Sequence, residues 1–269
     1  MAAIIFDGHT HSHYSVDGSE TIQTMCKAAL KAGVRGISVT DHCDLGVHAL
    51  PDWRERLLGA AAEIEHAQEL FHGQLHLFHG VELGQANHDM ATAQQVLSLS
   101  KYDVVLGSLH NLYLTEDFYY LQQKICDKKS LLNRYFEELV QLSKLDTFDV
   151  LAHITYAYRY MGYGKEIPSV QSFEPLLREL FTSLAKNGKA LELNTSGLYR
   201  SPKARAMPDL WELKLFKECG GEMVAIGSDA HIAINIGRGI IEGQALLRAA
   251  GFSYQTVYQA RKPVLYKLD

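Results

Sequence analysis

Residues 4–11 read IIFDGHTH, a short apolar run of Ile4, Ile5 and Phe6 passing directly into Asp7, Gly8, His9, Thr10 and His11. A run this short and this apolar is the pattern of a strand buried on both faces, as in a parallel sheet. The same figure recurs along the chain. GISVT (36–40) leads into Asp41-His42, LHLFHGVEL (75–83) carries Glu82, and YDVVLG (102–107) leads to His110. FDVL (148–151) is followed by His153, ALEL (190–193) by Asn194, and MVAI (223–226) by Asp229-Ala230-His231. Helical patterns lie between these runs, over 21–32, 52–71, 130–145, 170–186, 208–218 and 238–249. Gly33, Gly73, Gly188, Gly220 and Gly251 fall just past helix ends, where a left-handed residue commonly stops the turn. Pro208 suits a first helical position, and a closing strand is expected near 264–267. Seven strand–helix repeats with no Pro/Gly/Ser-rich linker predict one α/β domain over residues 1–269, a closed or nearly closed barrel. The rival, an open doubly wound sheet, lacks its phosphate fingerprint. Gly162-x-Gly164 has no third glycine and reads as a loop turn.

The position of the polar residues is the functional signal. In a βα barrel the C-terminal ends of all strands share one face. His9, His11, His42, Glu82, His110, His153, Asp229 and His231 therefore converge on one pocket from both ends of the sequence. His9 and His11 are two apart and point to the same side of an extended chain, and Asp229 and His231 repeat the arrangement. Two claws of imidazole and carboxylate result. That set, without thiolate, suits zinc, iron(II), manganese or cobalt and leaves the choice among them open. His13, His48, His66, His72, His76, His79 and His88 read as ordinary surface or hydrogen-bonded histidines. His79, three before Glu82, belongs to the opposite face of its strand. Cys43 reads as a small buried thiol.

Composition narrows the class. The chain has 269 residues, 47% hydrophobic and 21% charged, the balance of a globular enzyme rather than a disordered tail or coiled coil. A net charge of −5 gives no basic footprint for a nucleic-acid backbone, so no nucleic-acid partner is expected. Thirteen histidines are the unusual figure, since imidazole is the commonest metal ligand and proton carrier near neutral pH. The four cysteines, Cys26, Cys43, Cys126 and Cys219, lie far apart, which fits a reducing compartment. With no signal-peptide pattern and no apolar run near the roughly 20 residues of a membrane span, the expected location is cytoplasmic, with no membrane partner. The oligomeric state stays open.

The motifs as a set resemble the PHP (polymerase and histidinol phosphatase) superfamily and, within it, the histidinol-phosphate phosphatase branch. They are HTHSHYSVDG (9–18), VTDH (39–42), GVELG (80–84), GSLH (107–110), LAH (151–153), LELNTSG (191–197) and IGSDAH (226–231). Each is weak alone; all in order, each after a strand, are specific, and they span nearly the whole chain. The resemblance implies a distorted (β/α)7 TIM-like barrel with a trinuclear centre of three divalent ions (Zn, Fe, Mn or a mixture) at the C-terminal ends of the strands. Carried over residue by residue, it implies one metal on His9, His11, Glu82 and Asp229. A second would take Glu82, His110 and His153, with Glu82 bridging, and a third Asp17, His42 and His231. Asp17 enters through the resemblance alone.

Such a centre would leave about three net positive charges after Asp17, Glu82 and Asp229, and so would attract a phosphate monoester without a basic surface. The expected reaction is hydrolysis of a small phosphorylated substrate, L-histidinol phosphate first, in histidine biosynthesis. A metal-bridging hydroxide would attack phosphorus, with no phosphoenzyme. Asp17, His42, His231 and Glu82 are the expected catalytic residues, the leaving-group proton coming from the region of the first three. Arg159 and Arg200, each six residues beyond a strand-end residue, lie in loops on the catalytic face. The resemblance makes them phosphate or substrate contacts, a role suited to a bidentate guanidinium. The loops 111–129 and 154–169 would roof the pocket, where Tyr156, Tyr158, Tyr160 and Tyr163 could stack on an imidazole ring or pack the loop. Alternatives are a PHP phosphoesterase for a nucleotide, sugar phosphate or phosphotyrosine, a non-catalytic PHP interaction module, and an amidohydrolase-type C–N hydrolase.

Overall fold

The computed structural model describes residues 5–121, 127–161, 167–200 and 205–268, without the side chain of Arg200. Gly162, Tyr163, Gly164 and Cys126 lie outside the described residues.

Seven parallel strands form the frame in the order β1 (Phe6–Thr10), β2 (Gly36–Val39), β4 (His76–Gly84), β5 (Val104–Ser108), β6 (Val150–Leu151), β7 (Ala190–Asn194) and β8 (Val224–Gly227). A short β3 (His42–Asp44) follows β2 and pairs with the outer half of β4. The two edges meet through a short seam in which Asp229 N–H donates to His9 O at 2.9 Å and His11 N–H donates to Ala230 O at 2.8 Å. The frame is thus a nearly closed, distorted TIM-like barrel, as expected.

The long helices pack outside: α1 (Ile22–Lys31), α2 (Trp53–Leu70), α3 (Met90–Leu99), α5 (Lys128–Ser143), α7 (Glu174–Lys186), α9 (Leu210–Glu218) and α10 (Ile240–Ala249). Three short ones, α4 (Phe118–Leu121), α6 (Tyr156–Arg159) and α8 (Ser196–Arg200), lie in loops that follow strand ends. Thr21, Asp89 and Asp127 cap α1, α3 and α5 by accepting backbone N–H groups. The five glycines expected at helix ends all have positive φ. Pro208 is not a first helical position: the helix begins at Leu210 behind the cap Asp209. Helix α3 was not anticipated.

The outer core joins strands to helices through residues such as Phe136, Phe148, Phe181 and Phe216, all fully buried. A second cluster fills the lower barrel: Val104, Leu106, Val150, Ala152, Ala190, Ala225 and Tyr258. The small alanines leave room for Tyr258, which belongs to a hairpin rather than the barrel. β10 (Lys262–Lys267) is the closing strand, but it pairs antiparallel with an unanticipated β9 (Tyr254–Gln259). The hairpin turns at Ala260 and Arg261, both with positive φ, so its turn lacks the usual Asn-Gly signature. Tyr258 OH donates to Asp149 O at 3.2 Å, stoppering the end opposite the strand termini that carry the histidines.

Candidate metal centre

Strand parity places the site. Along β4, Glu82 lies three residues from His79, so the two occupy opposite faces. Glu82 is fully buried among the side chains at the C-terminal ends of the strands. His79 packs against Tyr102 with ring centroids 4.8 Å apart, away from the site. Five imidazoles surround the Glu82 carboxylate: His153 Nε2 at 2.8 Å, His42 Nδ1 at 2.9 Å, His110 Nε2 at 3.1 Å, His9 Nε2 at 3.2 Å and His11 Nε2 at 3.5 Å. Asp229 Oδ1 stands 3.4 Å from His11 Nε2 and 3.5 Å from His231 Nδ1. At the rim, Asp17 Oδ2 is 3.1 Å from His231 Nε2, and its Oδ1 is 3.6 Å from His42 Nε2. All nine expected side chains therefore meet in one place.

The second nitrogens of these rings show what the site is built for. His9 Nδ1 faces Glu192 Oε1 at 2.6 Å, His110 Nδ1 faces Asp44 Oδ1 at 2.8 Å, and His231 Nδ1 faces Asp229 O at 3.0 Å. An imidazole whose Nδ1–H is donated to an oxygen keeps its Nε2 lone pair for a ligand. Those lone pairs converge: His9 Nε2 lies 2.9 Å from His11 Nε2, and His42 Nε2 lies 3.4 Å from His231 Nε2. Acceptors so close repel unless a proton or a cation sits among them. Ligand atoms within 4.8 Å of one another occur in the groups His9/His11/Glu82, His42/Glu82/His110, His11/His42/His231 and His9/His153/Glu192. The donor set fits divalent metal.

The electrostatics agree. Burial alone would raise Glu82, but the imidazoles of His42, His9 and His110 hold its carboxyl well below the usual range. Burial would likewise lower His9 and His110. Glu192 and Glu82 beside the first, and Asp44 and Glu82 beside the second, carry both well above the ordinary imidazole value. Burial, together with the imidazoles of His231 and His42, holds His11 well below that value.

Tight backbone work holds the ring of candidate ligands. His153 and Asp229 have φ of 24° and 54°, a left-handed region that costs a non-glycine residue on the order of 1 to 3 kcal/mol and is typical of functional sites. Gly227 has no room for a side chain, since a Cβ there would meet His9 Cβ at 2.3 Å and Glu192 Oε1 at 2.7 Å. Asp7 accepts from Ser228 N and Gly237 N, both at 2.8 Å, locking β1 to the β8 loop. Asp41 accepts from Ser12 and Ser15 hydroxyls at 2.7 Å, which folds the loop after His11.

The centre opens into a cavity of about 720 Å³ whose wall includes Trp53, Asp117, Tyr119, Tyr120, Tyr156, Arg159 and Tyr160. Arg159 Nη2 donates to Ser196 Oγ at 2.6 Å and lies 3.5 Å from Asp229 Oδ2. Arg200 ends α8, and its side chain is outside the described residues. Tyr156 and Tyr160 face the cavity, Tyr158 packs on the core, and Tyr163 is outside the described residues. Cys43 is buried, and burial pushes its thiol up to about 12. His48 is hydrogen-bonded, as expected, its Nε2 lying 2.9 Å from Thr115 O on the cavity wall. Glu192, Asp44 and Asp117 were missed. Glu192 alternates with Asn194 on β7, and Asp44 follows His42 by two, so the two-residue period could have found both.

A family model described as "PHP domain" matches residues 7–196. A probable histidinol-phosphatase of Thermotoga maritima is 27% identical over 276 residues, covering 98% of this chain and 100% of its own length. A histidinol-phosphatase of Lactococcus lactis subsp. lactis is 27% identical over 263 residues, covering 95% of each chain. The crystal structure of a histidinol phosphate phosphatase from Lactococcus lactis, complexed with zinc, L-histidinol and phosphate, superposes with a TM-score of 0.82 at 25% identity, covering 97% of this chain and 98% of that one.

Proposed function

This chain belongs to the PHP domain family, and from that premise we propose that it is a metal-dependent phosphomonoesterase hydrolysing L-histidinol phosphate to L-histidinol and phosphate. The observation that carries the reading is Glu82, a fully buried carboxylate within 3.5 Å of five imidazoles. The full-length similarity to histidinol-phosphatases supports the substrate. Histidine biosynthesis in the cytoplasm is the setting that goes with it, and Cys26, Cys43 and Cys219 are free thiols in keeping with a reducing compartment. The whole chain, 1–269, is read as one catalytic domain.

Three divalent ions are proposed: one on His9, His11, Glu82 and Asp229, one on Glu82, His110 and His153, and one on Asp17, His42 and His231. When bound, such ions supply Lewis acidity, lowering the pKa of water towards about 7 and neutralising phosphoryl oxygens. The chain's own residues do the rest. Glu192 and Asp44 fix the rings of His9 and His110 so that Nε2 faces inward. Arg159, held by Ser196, presents its guanidinium to the phosphate, and Arg200 is proposed as its partner from the end of α8. Asp17, His42 and His231 form the side most open to solvent, from which the leaving alkoxide is protonated.

The test is a phosphatase screen of metal-quantified protein against L-histidinol phosphate, nucleotides, a sugar phosphate and a phosphotyrosine peptide. L-Histidinol phosphate should give the highest kcat/KM. A hundredfold preference for another substrate would replace the assigned leaving group and leave the phosphoesterase reading intact.

A further inference from the structure

The metal centre accounts for the phosphate end of a substrate but not for the rest of the cavity. Among the described residues, four aspartates line it: Asp17, Asp44, Asp117 and Asp229. Asp17 and Asp229 stand among the metal-ligating nitrogens, and Asp44 is engaged by His110 Nδ1 at 2.8 Å. Asp117 alone is set apart. It lies in the loop between β5 and α4, and both of its hydrogen bonds fall on one oxygen: Oδ1 accepts Tyr119 N–H at 2.7 Å and Tyr156 O–H at 3.2 Å. Among the described residues, no hydrogen bond reaches Oδ2 and no lysine or arginine pairs with the carboxylate.

Its surroundings are aromatic. Tyr156, Tyr160, Tyr119 and Tyr120 form a continuous edge-to-face chain with centroids 5.1, 5.7 and 5.1 Å apart. The inner member, Tyr156, packs at 4.9 Å on the ring of His110 and at 5.3 Å on that of His153. One tyrosine ring thus separates the metal-ligating imidazoles from a carboxylate with an open oxygen. A carboxylate beside aromatic faces binds an organic cation through a charge-assisted hydrogen bond and cation–π contact. On the other side Arg159, itself against the Tyr156 ring at 5.4 Å, presents positive charge. The cavity is polarised: cationic where phosphate docks, anionic one ring further out.

We propose that Asp117 is a specificity residue whose free oxygen accepts the ammonium of an amine-bearing phosphomonoester, so that the enzyme prefers such substrates to amine-free ones. This rests on the phosphomonoesterase reading and assigns one recognition element within it.

The test compares wild type and Asp117→Asn on L-histidinol phosphate, on its deamino analogue 3-(imidazol-4-yl)propyl phosphate, and on p-nitrophenyl phosphate. Asparagine keeps the Oδ1 acceptor for Tyr119 and Tyr156, so the loop retains its bonds while the charge is lost. Losing one charged hydrogen bond should lower kcat/KM for L-histidinol phosphate by on the order of 10- to 100-fold. The two amine-free esters should change by less than about threefold, with the loss expressed mainly in KM. An equal loss on all three esters, no loss on any, or wild type that cleaves L-histidinol phosphate and its deamino analogue equally well would each overturn the proposal. Failure of the phosphomonoesterase reading looks different: wild type, loaded with metal, would hydrolyse none of the three, and the proposal would fall with it.

Discussion

Glu192 Oε1 lies 2.6 Å from His9 Nδ1, while Oε2 of the same carboxylate accepts the backbone N–H of His153 at 2.8 Å. One buried side chain on β7 therefore sets the ring orientation of a residue on β1 and the strained backbone of a residue after β6. A partner of this kind fixes the tautomer and raises the basicity of a ligating histidine, and its loss typically costs 10- to 100-fold in metal affinity or activity. Glu192→Gln should show a loss of about that size, with metal content falling and far-UV circular dichroism unchanged. Full metal content and full activity in that variant would show that His9 needs no such partner.

Glu82→Gln removes the carboxylate shared by the proposed metals and should lower activity by several orders of magnitude. His66 and His72 are exposed on and just after α2, so His66→Ala and His72→Ala should stay within about twofold of wild type. Steady-state kinetics on one phosphomonoester decides it. Similar losses at all three positions would mean that the convergence of strand ends has no functional content.

Arg159→Ala should cost about 1.5 to 3 kcal/mol for a lost charged hydrogen bond, or roughly 10- to 100-fold in kcat/KM, with every phosphomonoester alike. Because Arg159 also stands 3.5 Å from Asp229, metal content must be measured alongside. Unchanged kinetics with full metal would remove the arginine from phosphate binding.

Most of this site was legible because a parallel barrel converts the ends of separate strands into neighbours. His9, His11, His42, Glu82, His110, His153, Asp229 and His231 follow from that rule and the two-residue period. Asp17 did not: it lies in a loop, where no periodicity says which way a side chain points, and only the motif resemblance named it. Glu192 was passed over because ALEL reads as a buried apolar run, and a carboxylate within it gives no sign of which ring it faces. The β9–β10 hairpin escaped because Ala260 and Arg261 adopt the left-handed turn without the glycine or asparagine that would announce it. The stopper Tyr258 went with it.

Chelation should destabilise the fold as well as silence it. His9 Nε2 and His11 Nε2, 2.9 Å apart, lose the ion proposed to join them. A ligand at a hundred times its Kd stabilises by about 2.7 kcal/mol. Losing even one such ion should lower the melting temperature by roughly 5 to 10 °C. Differential scanning calorimetry before and after chelation, and again after metal is restored, reads this directly. An identical melting curve in all three states would argue that these residues hold no metal.

Nine side chains are proposed to form one metal-dependent phosphatase centre. The decisive measurement titrates metal-stripped protein with a divalent metal and follows, at each bound stoichiometry, phosphate release from L-histidinol phosphate. No release is expected without metal, with a rise to a plateau as bound metal approaches three ions per chain. Release that is independent of bound metal, or absent at every loading, would contradict it.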